Sequence, residues 1–126
     1  FVSTRDGSED IYVVEIGENG PQGQAVRITE APGRDFAPIW SANGARIAFL
    51  SDRNGNIDIF TVSPNGKNLK TLTRSPVDIT SIDWSNDDRL VFESINSGAS
   101  HLFVIAADGV QKQITEGSTP STLPDW

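Results

Sequence analysis

Few side chains in this sequence could do acid–base or nucleophilic chemistry. The 126 residues include one histidine, His101, and no cysteine, whereas nucleophilic catalysis needs a base positioned against a nucleophile. The adjacent acids Glu9–Asp10 and Asp87–Asp88 remain. Neighbours on a strand point to opposite faces of a sheet, but two acids that act on one bond must converge. The sequence therefore predicts no catalytic residue.

The segment from Asp52 to Asp58 is the best candidate for a metal site, because side-chain oxygens recur along it as in a calcium loop. Its glycine is misplaced, however, and Ser63 stands where a bidentate acid should close the coordination shell. We therefore expect no metal and no other cofactor. The segment is better interpreted as a loop in which Ser51 and Arg53 form hydrogen bonds to neighbouring backbone.

Composition and charge exclude several classes of function. Ten basic and 17 acidic residues give a net charge of −7 and a pI near 4.5, which disfavours binding to nucleic acid or anionic lipid. No apolar run approaches the roughly 20 residues of a membrane span, so we expect no membrane insertion. The absence of cysteine is compatible with an oxidising compartment without requiring one.

The elements that position these side chains follow from an internal repeat. Trp40, Trp84 and Trp126 are 44 and 42 residues apart, and each follows a threonine by 11 residues. Other residue types recur at the same period. They are the phenylalanines Phe1, Phe49 and Phe92, the apolar–aromatic pairs Ile11-Tyr12, Ile59-Phe60 and Leu102-Phe103, and the pairs Ile28-Thr29, Leu72-Thr73 and Ile114-Thr115.

Each period predicts four short strands, which we call a, b, c and d. The segments are short and rich in β-branched and aromatic residues, and turn pairs such as Asn43-Gly44 and Asn65-Gly66 separate them. A repeated four-stranded antiparallel unit of about 40–45 residues is typical of a β-propeller blade. A β-sandwich also has frequent strands, but it does not require residue types to recur in register. The sequence therefore predicts an all-β propeller.

The strands should run b-c-d, a-b-c-d, a-b-c-d and finally a, which is three blades' worth with one blade split between the termini. The predicted repeats cover roughly 1–34, 35–78 and 79–119, and 120–126 supplies the first strand of the split blade. Three blades are fewer than the roughly four to eight that close a ring. The chain could be part of a longer propeller, half of a ring completed by a second copy, or a partner of another blade-carrying chain.

The stretch from Asp35 to Phe60 resembles the TolB-type propeller repeat, through Pro38-Ile39-Trp40-Ser41, Ile47-Ala48-Phe49 and Ser51-Asp52-Arg53-Asn54-Gly55. The third repeat departs from this pattern: Asn86-Asp87-Asp88 replaces the Asn-Gly turn, and the arginine is missing. The resemblance implies a periplasmic or other extracytoplasmic location. It also implies a protein partner, which would be Pal-like in a true TolB. Rings of this family are commonly six-bladed, so a homo-oligomer is expected, with a dimer favoured.

Three functions remain open. The first is a non-catalytic scaffold for protein–protein interaction, with its ring completed by self-association or by missing blades. The second is the gating propeller of a prolyl-oligopeptidase-like or tricorn-type peptidase. The third is a purely structural half-propeller that self-assembles.

The d–a and b–c loops of a propeller emerge on the same face, around the channel, where binding residues are expected. The predicted protein-binding residues are Arg34, Asp35, Arg53, Asn54, Arg74, Asp78, Arg5 and Asp6. The predicted structural residues are Trp40, Trp84 and Trp126 in packing between blades, with Ser51, Phe49 and Phe92. His101 occupies the position of Asp10 and Asp58 in the repeat, and this recurring polar position suggests a surface or turn role.

Overall fold

The computed structural model describes residues 1–106 and 109–115, and within them the chain forms three antiparallel sheets. No helix in this described part is long and apolar enough to cross a membrane. The first sheet contains β1 (Val2–Ser3), β2 (Asp10–Gly17) and β3 (Gly20–Arg27). The second contains β4 (Asp35–Trp40), β5 (Ile47–Ser51), β6 (Asp58–Val62) and β7 (Lys70–Thr71). The third contains β8 (Ile79–Trp84), β9 (Leu90–Asn96), β10 (Ala99–Ile105) and β11 (Gln111–Gln113).

Strand order within each sheet follows chain order, so the sheets are three successive propeller blades. The predicted all-β fold is confirmed. Strands β4 and β8 correspond to predicted strand a, and β7 and β11 correspond to strand d. The first sheet has three strands in the described residues, corresponding to b, c and d. The strand a expected at 124–126 and Trp126 lie outside the described residues.

The core lies in the two seams between consecutive sheets. Alternate residues of β5 point to opposite sides of the second sheet. Ile47 and Phe49 therefore pack towards the first sheet, whereas Ala48 and Leu50 pack towards the third. All five residues of β5 and of β6 are buried. The continuous apolar stretch at Ile47 to Leu50 is thus explained by a strand that is covered on both faces.

A threonine hydroxyl joins the outer edge of each sheet to strand c. The backbone N–H groups of Ile11, Ile59 and Leu102 donate to the Oγ1 atoms of Thr29, Thr73 and Thr115, each at 2.9 Å. Each threonine follows the outermost strand of its sheet. The recurring Ile/Leu-Thr pair is therefore a hydrogen-bonding element that extends the pairing where the outer strand ends.

The divergent turn of the third repeat keeps the backbone conformation of its counterpart. Asp88 has a φ of 68°, close to the 69° of Gly44 in the second sheet. Aspartate is one of the few non-glycine residues that tolerate this left-handed region. The hydroxyl of Ser85 bridges the turn by bonding to the backbone N–H and carbonyl of Arg89.

We expect Thr73→Val to lower the free energy of unfolding by about 1–3 kcal/mol, because it leaves the buried N–H of Ile59 without an acceptor. Urea denaturation monitored by tryptophan fluorescence measures this loss. Thr71→Val is the matched control, since Thr71 lies exposed on β7, two residues before Thr73. Equal losses in both variants would contradict the role assigned to the Thr73 hydroxyl.

Candidate functional site

The loop between the first and second sheets is fastened to the β5–β6 loop. The backbone N–H and the Nε of Arg34 donate to the two carboxylate oxygens of Asp52, at 2.7 and 2.8 Å. Gly33 has a φ of 109°, and a Cβ there would lie 2.8 Å from an Asp52 oxygen. The glycine therefore permits both the turn and the close approach of the two loops.

The β5–β6 loop is also joined to the loop between the second and third sheets, through different atoms. Asp78 accepts from the backbone N–H of Ile57 at 2.8 Å, and Asn56 Nδ2 donates to the carbonyl of Ser75 at 3.0 Å. The structure therefore brings together loops 30–34, 52–57 and 74–78, which we call the loop face. The predicted binding residues Arg34, Asn54, Arg74 and Asp78 lie exposed on it.

Two of the predicted binding residues are used within the fold. Both Oδ atoms of Asp35 accept from Nη2 of Arg53 at 2.7 Å, and the Asp35 side chain is 1 % exposed. The Arg53 guanidinium lies 4.8 Å from the ring centre of Phe60 and 5.5 Å from that of Phe49. Ser51 Oγ accepts from the backbone N–H and Nε of Arg53. The expected bond between Ser51 and neighbouring backbone is present, but the Arg53 guanidinium bonds side chains instead.

Arg5 and Asp6 form the corresponding group in the first sheet, and both are exposed. The Arg5 guanidinium lies 4.5 Å from the ring centre of Tyr12, and its Nε donates to Ser3 Oγ at 3.2 Å. The Tyr12 hydroxyl donates to Asp6. Burial first, and then this hydrogen bond, raise the pKa of Tyr12, so the phenol stays protonated as a donor.

The predicted structural residues have different environments. Phe49, Phe92 and Ser51 are buried. Trp84 is partly buried against the core, with the Arg46 guanidinium 5.0 Å from its ring centre. Trp40, by contrast, is 51 % exposed. It flanks the first sheet, which within the described residues lacks the inner strand that would cover it.

The recurring polar position on strand c does not by itself indicate a surface role, because it is buried in two of its three copies. Asp10 is 0 % exposed and pairs with Arg27 at 2.7 Å, and Asp58 is 4 % exposed. Asp58 accepts from Thr73 Oγ1 and from the backbone N–H of Ser75, both at 2.8 Å. The third copy, His101, is partly exposed.

The adjacent acids Asp87 and Asp88 do not share a site, because each bonds to a different structural partner. Asp87 bonds to Arg89 and Ser85, and these contacts, with Arg89 first, lower its pKa. Asp88 pairs with Arg46 across the second seam. Among the described residues, no group of three or more metal-ligating side chains could hold an ion. In the segment from Asp52 to Asp58, which resembles a calcium loop, the carboxylate of Asp52 already bonds to Arg34. The carboxylate of Asp58 bonds to Thr73 and Ser75.

A cavity of about 330 Å³ lies between the 73–77 loop and the third sheet, and no motif in the sequence predicts it. Phe92, Asn96, His101 and Phe103 contribute to its lining. The available signal was the missing arginine of the third repeat, because Asn96 aligns with Arg53. A space between blades was not deducible from that substitution without the sheet geometry.

Comparisons with known proteins agree with the architecture. The family described as "TolB beta propeller domain" matches residues 1–126. The structure of TolB from Acinetobacter baumannii superposes with a TM-score of 0.75 at 21 % identity, covering 98 % of this chain and 30 % of that chain. This likeness shows the fold.

Of two curated relatives that match part of this chain, one is named TolB and the other is named a peptidase. The Tol-Pal system protein TolB of Syntrophus aciditrophicus (strain SB) is 35 % identical over 72 residues, covering 57 % of this chain and 16 % of the relative. The uncharacterized peptidase YuxL of Bacillus subtilis (strain 168) is 30 % identical over 92 residues, covering 72 % of this chain and 13 % of the relative. The chain thus spans a small part of the length of each relative.

We expect the Asp52 carboxyl to titrate below the ordinary aspartate pKa of about 3.9, because the Arg34 backbone N–H first and its side chain second lower the pKa of Asp52. The stabilisation is present above the ordinary value and is lost as the pH falls through the lowered pKa. Carbon-13 NMR titration should show the Asp52 pKa rising in Arg34→Gln without reaching the ordinary value, since the backbone donor remains. Arg74→Gln is the control, and an ordinary pKa in the unmodified chain would contradict the assignment.

Proposed function

We propose, from the premise that this chain belongs to the TolB beta propeller domain family, that it is a non-catalytic scaffold that binds a protein partner through its loop face. The supporting observation is the mutual bracing of the loops by Arg34–Asp52 and Asp78–Ile57. A braced surface loses less conformational entropy when it binds. Such a surface therefore suits recognition.

The charges that face solvent suit a polar protein surface. Arg34 retains 58 % exposure of its side chain even in the pair with Asp52. Arg74, Asp78 and Asn54 are exposed beside it. Charges of both signs support specificity and association rate more than raw affinity. The chain's net charge of −7 disfavours nucleic acid as the partner.

We propose further that the ring is completed beside the first sheet, by a second copy or by further blades. Strand β1 has β2 as its neighbour, and within the described residues the opposite edge of β1 is unpaired. Phe1 and Trp40 are each 51 % exposed beside this edge. Unpaired strand edges tend to pair with another strand. Of the possible assemblies, a dimer with six blades is favoured.

A peptidase propeller is the second candidate, and the YuxL relative supports it. In this case the chain would form a gate beside a separate hydrolase domain. A Gly-x-Ser-x-Gly segment in the parent chain would favour the peptidase, because that motif presents a nucleophilic serine on a strand-to-helix turn. A self-assembling half-propeller without a partner is the third. The TolB relatives support an extracytoplasmic or periplasmic location.

We expect Arg74→Glu to weaken binding of a protein partner at least about tenfold, because it reverses an exposed charge on the loop face. Surface plasmon resonance with the Pal-like protein of the source organism measures the affinity. Lys67→Glu makes the same charge change on the exposed β6–β7 turn. An equal effect of the two substitutions, or none, would contradict binding through the loop face.

Light scattering coupled to size exclusion should give about twice the chain mass of 13.6 kDa. Phe1→Asp should shift this species towards the monomer, because it places a charge at the open edge of the first sheet. Val110→Asp, at a residue that is 61 % exposed and directly precedes β11, is the control. A single-chain mass at all concentrations would exclude self-association, and a trimer would replace the six-bladed ring with nine blades.

A further inference from the structure

The third sheet keeps the aromatic pair of the other two sheets but not the arginine that covers it. Phe92 and Phe103 are stacked with ring centres 5.0 Å apart. In the second sheet, Arg53 lies against the equivalent pair and bonds to Asp35. The aligned positions of the third repeat hold Asn96 and Ile79. Both members of the ion pair are therefore replaced.

The cavity of about 330 Å³ lies at the position of this missing side chain. Its lining includes both rings, Asn96 and Ser94, which aligns with Ser51. The loop that follows β7 forms the other wall, through Thr73 to Val77. The volume falls within the range of about 300–1,000 Å³ that is typical of small-molecule sites. Replacement of the arginine thus leaves both rings open to the cavity, whereas the corresponding space of the first seam, which Arg53 lines, reaches neither Phe49 nor Phe60.

The polar groups around the cavity select the charge of that ligand. The lining contains Arg74 but no aspartate or glutamate. The Arg74 side chain is exposed and has no carboxylate partner among the described residues. The His101 Nδ1 atom lies 3.2 Å from Gln113 Nε2, at the position where the first sheet has the Asp10–Arg27 pair. A cation would find no counter-charge there, whereas an anion would find Arg74.

From this geometry, we propose that the cavity binds a small aromatic carboxylate. Its flat ring would pack against Phe92 and Phe103, and its carboxylate would accept hydrogen bonds from Arg74. Aromatic pairs stabilise one another beyond their buried area, and an arginine can bind a carboxylate through two parallel hydrogen bonds. The site goes beyond the proposed protein-binding function, because it requires neither a protein partner nor ring completion.

Benzoate is the probe, and titration followed by ¹H–¹⁵N NMR of the chain measures its affinity. The amide signals of residues around the cavity should shift in a saturable manner. Benzamidine has the same ring with a positive group, and acetate has the carboxylate without the ring. Both should bind at least about tenfold more weakly, since each lacks one of the two interactions. Equal affinity for benzamidine, or shifts scattered over the surface, would overturn the proposal.

Two substitutions test the roles that Asn96 and Arg74 have in the proposed benzoate site. Asn96→Arg restores the missing side chain and should abolish saturable benzoate binding, while Asn54→Arg makes the same change on the loop of the second sheet and should not. Arg74→Gln should weaken benzoate binding at least about tenfold, with Lys67→Gln as its control. Arg74→Gln keeps the test decisive if Asn96→Arg does not fold. Unchanged affinity in Arg74→Gln would exclude the assigned site.

Discussion

The threonine hydroxyl that bonds to strand c is the interaction on which the repeat depends. Two of the three outermost strands are short: β7 has two residues and β11 has three, whereas β3 has eight. Ladder hydrogen bonds alone would hold the two short strands weakly. The hydroxyls of Thr29, Thr73 and Thr115 each accept a strand c N–H at 2.9 Å and so continue the pairing. In the second sheet the same hydroxyl donates to Asp58, which also fixes the next loop. One side chain thereby links the sheet edge to the loop face.

The seams between sheets explain why the blades are alike without being equivalent. The second sheet contributes to both apolar clusters, because alternate residues of β5 face opposite neighbours. Arg53 closes the first seam by packing on two aromatic rings and pairing with Asp35. The second seam retains the rings, but Asn96 replaces the arginine. A change at this position alters the seam and leaves the strand pairing of the sheet intact.

Much of the fold could be predicted from the sequence, because recurring tryptophan, phenylalanine and threonine residues encode backbone positions that repeat. The position of the loop face could also be predicted, because propeller topology places the d–a and b–c loops on the same face. The burial of Asp58 could not be predicted, since a polar residue at a strand start looks the same whether solvent or a threonine satisfies it. The Asp35–Arg53 pair joins positions 18 residues apart, and nothing local shows that their charges meet. The exposure of Trp40 could not be predicted either, because the burial of a repeated residue depends on which strand lies next to it.

The consecutive order of strands within each sheet has a consequence for how the chain folds. Paired residues are close in sequence: Ile47 opposes Val62, and Leu90 opposes Ile105, each 15 residues away. Short separations keep the entropy cost of closing each hairpin low, and folding rates rise as contacts become more local. The second and third sheets, whose four strands are consecutive, could therefore each form before the chain that follows them is synthesised. Each sheet, once formed, would offer an apolar face on which the next sheet packs, so folding would follow the order of synthesis.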